Sequence, residues 1–190
     1  MAWPQIDTNS FVAIDKYLFR GIINSHAKVP IEHLYLEMGV LPLSYVISAR
    51  RLIYLQTIQK RHESDIVRRV YICQKENQLP GDWCKSVALD FEKIGVHMTD
   101  HEIENMSEYE YKTNIKKQVR KAAFTELEEI RTSHSKVSQN KYTSLNRPQD
   151  YIRSTSITSR QGSLLFSLRS KTVRGIKENW RFMGQENTYM

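Results

Sequence analysis

The sequence predicts an all-α fold, an irregular multi-helix bundle with a basic helix toward its C-terminus. Three observations carry that expectation. Seven glycines and five prolines among 190 residues are too few for a turn-rich β architecture. Apolar residues recur at helical spacing along most of the chain, and no alternating run is long enough to read as a sheet. Capping and stop residues bracket the same segments. With 40% hydrophobic and 10% aromatic residues, the chain can bury a real core instead of remaining disordered.

The elements follow in order. Asn9 or Ser10 is placed to cap a first helix, in which Phe11, Ile14, Leu18 and Ile22 share one face. Pro30 suits the first turn of a short second helix that Gly39 ends. After Pro42, residues 43–60 are apolar around nearly the whole circumference, including Tyr45, Val46, Ile47, Ala49, Leu52, Ile53, Tyr54, Leu55 and Ile58. A helix of that kind is central and covered by its neighbours. Ser64 is expected to cap a helix running to Lys75, with Ile66, Val67, Val70 and Tyr71 inward. Asp82, after a Pro-Gly turn, caps the next helix, which carries Trp83, Val87 and Phe91 and stops at Gly95. Thr99 with Glu102 and Ser107 with Glu110 each spell a capping box. The second box opens the longest helix, 107–131, whose stripe is Tyr111, Ile115, Val119, Ala122, Leu127 and Ile130. The expected division is a helical bundle over 1–133, a polar linker over 134–158 tethered by Tyr151 and Ile152, and a basic helix and tail over 159–190.

Charge is distributed unevenly. From Arg131 onward there are 11 Lys/Arg against 3 Asp/Glu, while the preceding residues carry 17 against 18, so the whole surplus of +7 lies in the last third. A local basic segment on a neutral body points to a polyanion, and RNA or DNA backbone is the commonest one. Lys171, Arg174, Lys177 and Arg181 are spaced as one ridge of the last helix, with Leu164, Leu165, Leu168, Ile176 and Trp180 opposite. Arg169 adjoins them. Lys116, Lys117, Arg120 and Lys121 form a second patch away from the stripe of the longest helix. Phe124 falls on their side, and core packing is the preferred reading for it over base stacking. Arg50 and Arg51, inside the apolar third helix, need partners, either Glu32 or Glu37 as structural ion pairs, which is the preferred reading, or a phosphate reached through a gap.

No catalytic constellation stands out. His97 and His101 straddle a helix start, His134 reads as a loop residue, and Glu128-Glu129 has no catalytic setting. Cys73 and Cys84 lack the company that a zinc site or a disulfide framework needs, which suits a reducing compartment, nucleus or cytoplasm. There is no Gly-rich phosphate loop and no nucleophile elbow. No cofactor, metal, membrane span or small-molecule substrate is expected, and no secretory signal.

Several strings, taken together, resemble the region downstream of the polymerase core in LINE-type, non-LTR retrotransposon reverse transcriptases. They are residues 31–43 (IEHLYLEMGVLPL), 49–55 (ARRLIYL), 70–75 (VYICQK), 81–83 (GDW), 106–124 (MSEYEYKTNIKKQVRKAAF), 134–137 (HSKV) and 164–173 (LLFSLRSKTV), in the family's order over about residues 2–184. The resemblance implies helical structure beyond the palm that helps to hold template RNA and target DNA. The paired aspartates of the polymerase strand and the Cys/His cluster that follows the last basic helix in that family do not occur in this sequence. The expectation is therefore a non-catalytic, nucleic-acid-binding piece of such a polyprotein. The rivals are a helical segment that packs on a reverse transcriptase core, and a remnant without present function.

Overall fold

The computed structural model describes residues 8–23, 29–77, 83–133, 145 and 147–169. Its elements are α1 (Thr8–Ile23), α2 (Ile31–Met38), α3 (Leu43–Gln59), α4 (Ile66–Asn77), α5 (Trp83–Lys93), α6 (Asp100–Asn105), α7 (Glu108–Ser133), α8 (Asp150–Arg153) and α9 (Ser159–Arg169). No strand occurs among the described residues, and the all-α expectation holds. No described helix is long and apolar enough to cross a membrane.

The helix ends follow local chemistry. At the end of α2, Gly39 adopts φ 61°. Its N–H donates to the Leu36 carbonyl while Val40 N–H donates to Tyr35, closing a Schellman turn. The same pair of bonds recurs at α5, where Gly95 has φ 65° and Val96 N–H reaches the Phe91 carbonyl. Thr99 and Glu102 form the expected box at α6. At α7, Ser107 Oγ accepts from Glu110 N–H, and the Glu110 carboxylate accepts from Ser107 N–H in return. Two starts differ from expectation. Asn9 and Ser10 fall inside the first turn of α1. At α4 the capping oxygen comes from Asp65, not Ser64: Val67 N–H donates to Asp65 Oδ1 at 2.8 Å. Asp82 lies outside the described residues.

The core forms where α3 crosses α7, with α2 wedged beside them. Helix α3 also packs against α1, α4, α5 and α6, covering its apolar surface except at Tyr54, which stays exposed. On α7 the innermost residues are Tyr111, Ile115, Val119, Ala123 and Leu127; Ala123 takes the central place expected for Ala122, which is partly buried at the margin. Tyr111 and Gln56, drawn into this interface, are satisfied, whereas Gln59 Oε1 of α3 is buried without a hydrogen-bond partner among the described residues. Tyr111 Oη donates to the Leu52 carbonyl at 2.9 Å, and Gln56 Nε2 donates to the Ile103 and Met106 carbonyls at 2.8 and 2.9 Å. Arg51 does find a structural partner, but it is Asp90 on α5, at 2.8 Å, and not Glu32 or Glu37. Ser48 Oγ donates to the other oxygen of Asp90 at 2.6 Å. Arg50 is exposed.

Helix α2 is buried along nearly its whole length, and its fully buried Glu37 organises the end of the described chain. Tyr151 Oη of α8 donates to Glu37 Oε2 at 2.8 Å, and Arg169 Nε of α9 donates to Oε1 at 2.7 Å. Gln149 N–H donates to the Glu37 carbonyl at 2.9 Å. Leu145 and Phe166 join the same apolar cluster as Leu34, Leu52 and Val119. The segment that reads as a linker in the sequence thus supplies core residues, with Tyr151 and Ile152 partly buried against the core.

His33 lies one turn before Glu37, its ring 5.5 Å from that of Phe166. Burial pushes its pKa from 6.5 down to about 4, opposed by Glu37 and assisted by the charges of Arg169 and Arg131. Between those two pH values the unfolded chain binds a proton that the folded chain refuses. Stability is therefore complete above pH 6.5 and is lost as pH falls toward 4, by roughly 3 kcal/mol. Urea midpoints measured at pH 7 and pH 4.5 should show this drop, and His33→Gln should flatten it.

Two helices, α1 and α9, bury a different ridge from the one their spacing suggests, and α4 buries less of its expected face. On α1, Val12, Phe19 and Ile23 pack inward, whereas Ile14, Leu18 and Ile22 are exposed together with Tyr17. On α4, Ile66 and Val70 are exposed, and only Tyr71 of the helix packs on the core. On α9, Phe166 and Ser167 are buried, whereas Leu164, Leu165 and Leu168 face out. Since α1 packs beside α9, two neighbouring helices carry exposed apolar residues.

Candidate nucleic-acid interface

Helix α7 presents a basic outer face because its sequence separates two sides cleanly. The apolar stripe holds one side against α3 and α2. Between Glu110 and Glu126 the helix carries five basic residues, Lys112, Lys116, Lys117, Arg120 and Lys121, and no acidic one. All five are exposed, and none has a carboxylate within 4.0 Å among the described residues. Lys112, Lys116 and Arg120 follow at intervals of four, and Lys117 and Lys121 repeat the interval alongside. Like charges so spaced repel, at about 0.2–0.5 kcal/mol per pair, so the face costs the helix about 1–2 kcal/mol at low salt. The buried stripe offsets this cost. A surface that breaks a local rule without internal compensation is where an external counter-charge belongs.

The other expected site residues are placed differently. Arg169 does not join an outward ridge: its guanidinium turns to Glu37 and lies 5.7 Å from the Tyr151 ring centre. Its cost of burial explains the arrangement, because a carboxylate with zero exposure requires a cationic partner. Lys171, Arg174, Lys177 and Arg181 lie outside the described residues. Phe124 is partly buried against the core, as the packing reading expected. Of the nine residues singled out in the sequence, the structure thus brings together Lys116, Lys117, Arg120 and Lys121. It adds Lys112, which the sequence reading missed. The signal was present in the acid-free interval between Glu110 and Glu126.

A groove of about 500 Å³ borders this face, lined by Tyr45, Lys93 and Gly95 on one side and Lys121, Glu126 and Glu129 on the other. Lys93 Nζ sits 3.9 Å above the Tyr45 ring and donates to Ser44 Oγ at 3.1 Å. Burial lowers the Lys93 pKa, against the pull of Glu126 and Asp90. The Tyr45 hydroxyl donates to Glu126, and burial followed by that bond raises its pKa. With Glu92, Glu126 and Glu129 against Lys93 and Lys121, the groove lining carries one more acid than base and marks an edge of the basic face. Among the described residues no group of three or more His, Cys, Asp or Glu is arranged to hold a metal ion.

Fold and site together define a class: an all-α protein whose longest described helix exposes a row of cations that no described carboxylate pairs. No protein-family model, curated protein or solved structure matches the chain.

Proposed function

We infer that this protein is a non-catalytic module that binds RNA or DNA backbone through the outer face of α7, mainly without sequence preference. The observation that carries the reading is the run of five exposed cations with no carboxylate among them. Lys and Arg side chains fixed on one rigid helix face neutralise phosphates without rearrangement, and each neutralised phosphate releases a counterion. The resemblance of about residues 2–184 to the post-polymerase region of non-LTR reverse transcriptases points the same way. The basic string 116–124 is among the segments that carry it. In that setting the module would hold template or target strand beside a polymerase core that other parts of a polyprotein supply.

The test is binding of a labelled oligonucleotide over a range of salt. Five phosphate contacts to a single strand give a slope of about −3.5 in log K against log salt, hence roughly 100-fold weaker binding at 200 mM than at 50 mM. The triple substitution Lys116→Glu, Lys117→Glu, Arg120→Glu should abolish binding at every salt concentration while leaving the helical circular dichroism unchanged. Wild-type protein that fails to bind at 50 mM salt would end the proposal.

The exposed apolar residues of α1 and α9 favour a second reading, a helical segment that packs on a polymerase core. It predicts association that salt does not weaken, visible as oligomers of the isolated chain by sedimentation at 500 mM salt.

A further inference from the structure

Tyr109 stands at the head of the α7 cation row and is 80% exposed. At 100° per residue it falls within about 40° of Lys116 and Arg120 around the helix axis, so the three share one ridge. Lys112 lies one turn from the ring, and Arg120 about 16 Å along the axis. Of its acidic neighbours, Glu110 is folded back into the Ser107 cap, and Glu108, itself exposed, stands about 100° from the ring around the helix axis. No described residue covers the ring. The equally exposed Tyr17 differs in standing among Ile14, Leu18 and Ile22, with no cation row beside it.

We propose that Tyr109 is a base-stacking platform, which makes the preferred ligand of the α7 face a single strand and not a duplex. This rests on the backbone-binding reading above and adds to it which form of nucleic acid the face selects. An aromatic ring at one end of a cation row is the arrangement by which single-strand binders hold an unpaired base while tracking its backbone. A base in a duplex is already stacked on both faces, so the ring gains nothing from it except at an end. The row from Tyr109 to Arg120 matches about four or five nucleotides at ~3.4 Å per stacked residue. A phosphate next to the stacked base would meet Lys112, and the following ones Lys116, Lys117 and Arg120.

The experiment compares a fluorescein-labelled 12-nucleotide oligouridine with a blunt, capped RNA hairpin duplex of equal charge, using the full chain at 50 mM salt. Tyr109→Ala should weaken oligouridine binding at least fivefold, leave hairpin binding within twofold, and keep the salt slope, because no phosphate contact is lost. Tyr109→Phe should bind as wild type does. Tyr109→Trp should add an indole emission that oligouridine quenches and the hairpin does not. If Tyr109→Ala binds oligouridine like wild type while the triple charge reversal abolishes it, stacking is overturned and backbone binding survives. Equal losses on both ligands would overturn it as well. Absence of any wild-type binding would remove the underlying reading, and this inference with it.

Discussion

Glu37→Ala is expected to destabilise the protein by about 3–5 kcal/mol, the range for breaking a buried ion pair by removing one partner. The Glu37 carboxylate has zero exposure and accepts from Tyr151 Oη and Arg169 Nε. Truncation withdraws the acceptor from both donors in a site that is itself largely closed, since Arg169 is only 28% exposed. It also leaves a void at a fully buried position. For a chain of this size each kcal/mol moves Tm by roughly 2–4 °C, so the loss should be plain in a thermal melt. The damage should concentrate where the carboxylate reaches. Hydrogen exchange in α8 and α9 should quicken more than in α3, because Tyr151 of α8 and Arg169 of α9 both bond to this side chain. Removing both charges, as Glu37→Met with Arg169→Met, should recover a good part of the loss, since an apolar replacement of the whole pair leaves no stranded charge. A double variant no better than Glu37→Ala would show that packing, and not charge, governs the site.

Gly39→Ala should be the most damaging of the glycine substitutions, for two separable reasons. The left-handed backbone at φ 61° costs a residue with a side chain about 1–3 kcal/mol. A Cβ there would also run into the backbone of Arg147, which lies directly over the turn. Backbone cannot swing aside as a flexible side chain can. The Arg147 segment would have to lift, carrying with it Gln149, whose N–H holds the Glu37 carbonyl. Gly95 provides the control. Its φ of 65° imposes the same strain, but a Cβ would meet nothing within 4 Å. Gly95→Ala should therefore cost the strain alone, and the difference between the two variants measures the contact with Arg147. Urea denaturation with a shared m-value would read that difference, and equal losses would refute the steric argument.

These two sites bear on the binding face indirectly. Glu37 and Gly39 fix the 145–169 segment to the body, while α7 is held by α3 and α2 through Tyr111, Ile115 and Val119. Charge reversal on α7 should thus abolish binding without unfolding, whereas Glu37→Ala should weaken the fold before it weakens the α7 face. Separate readouts of stability and binding distinguish the two.

Features decided within one turn of chain were legible in the sequence. The boxes Thr99/Glu102 and Ser107/Glu110, the stops at Gly39 and Gly95, and the two-sided character of α7 depend on residues three or four positions apart. No distant partner can easily overrule them. The basic face belongs to this group, because an acid-free stretch opposite an apolar stripe faces water wherever the helix docks. Features decided between distant residues were not legible. Helix α1 carries apolar residues on two ridges, Val12-Phe19-Ile23 and Ile14-Leu18-Ile22, and spacing alone cannot rank them. The position of α2 and α3 chose the first. The same ambiguity moved α9 from its leucines to Phe166. Arg51 met Asp90 and Arg169 met Glu37 because packing brought together side chains 39 and 132 positions apart. A buried charge must be paired, and sequence states that need without naming the partner. Periodicity determines that a helix has an inside; only its neighbours decide which side that is.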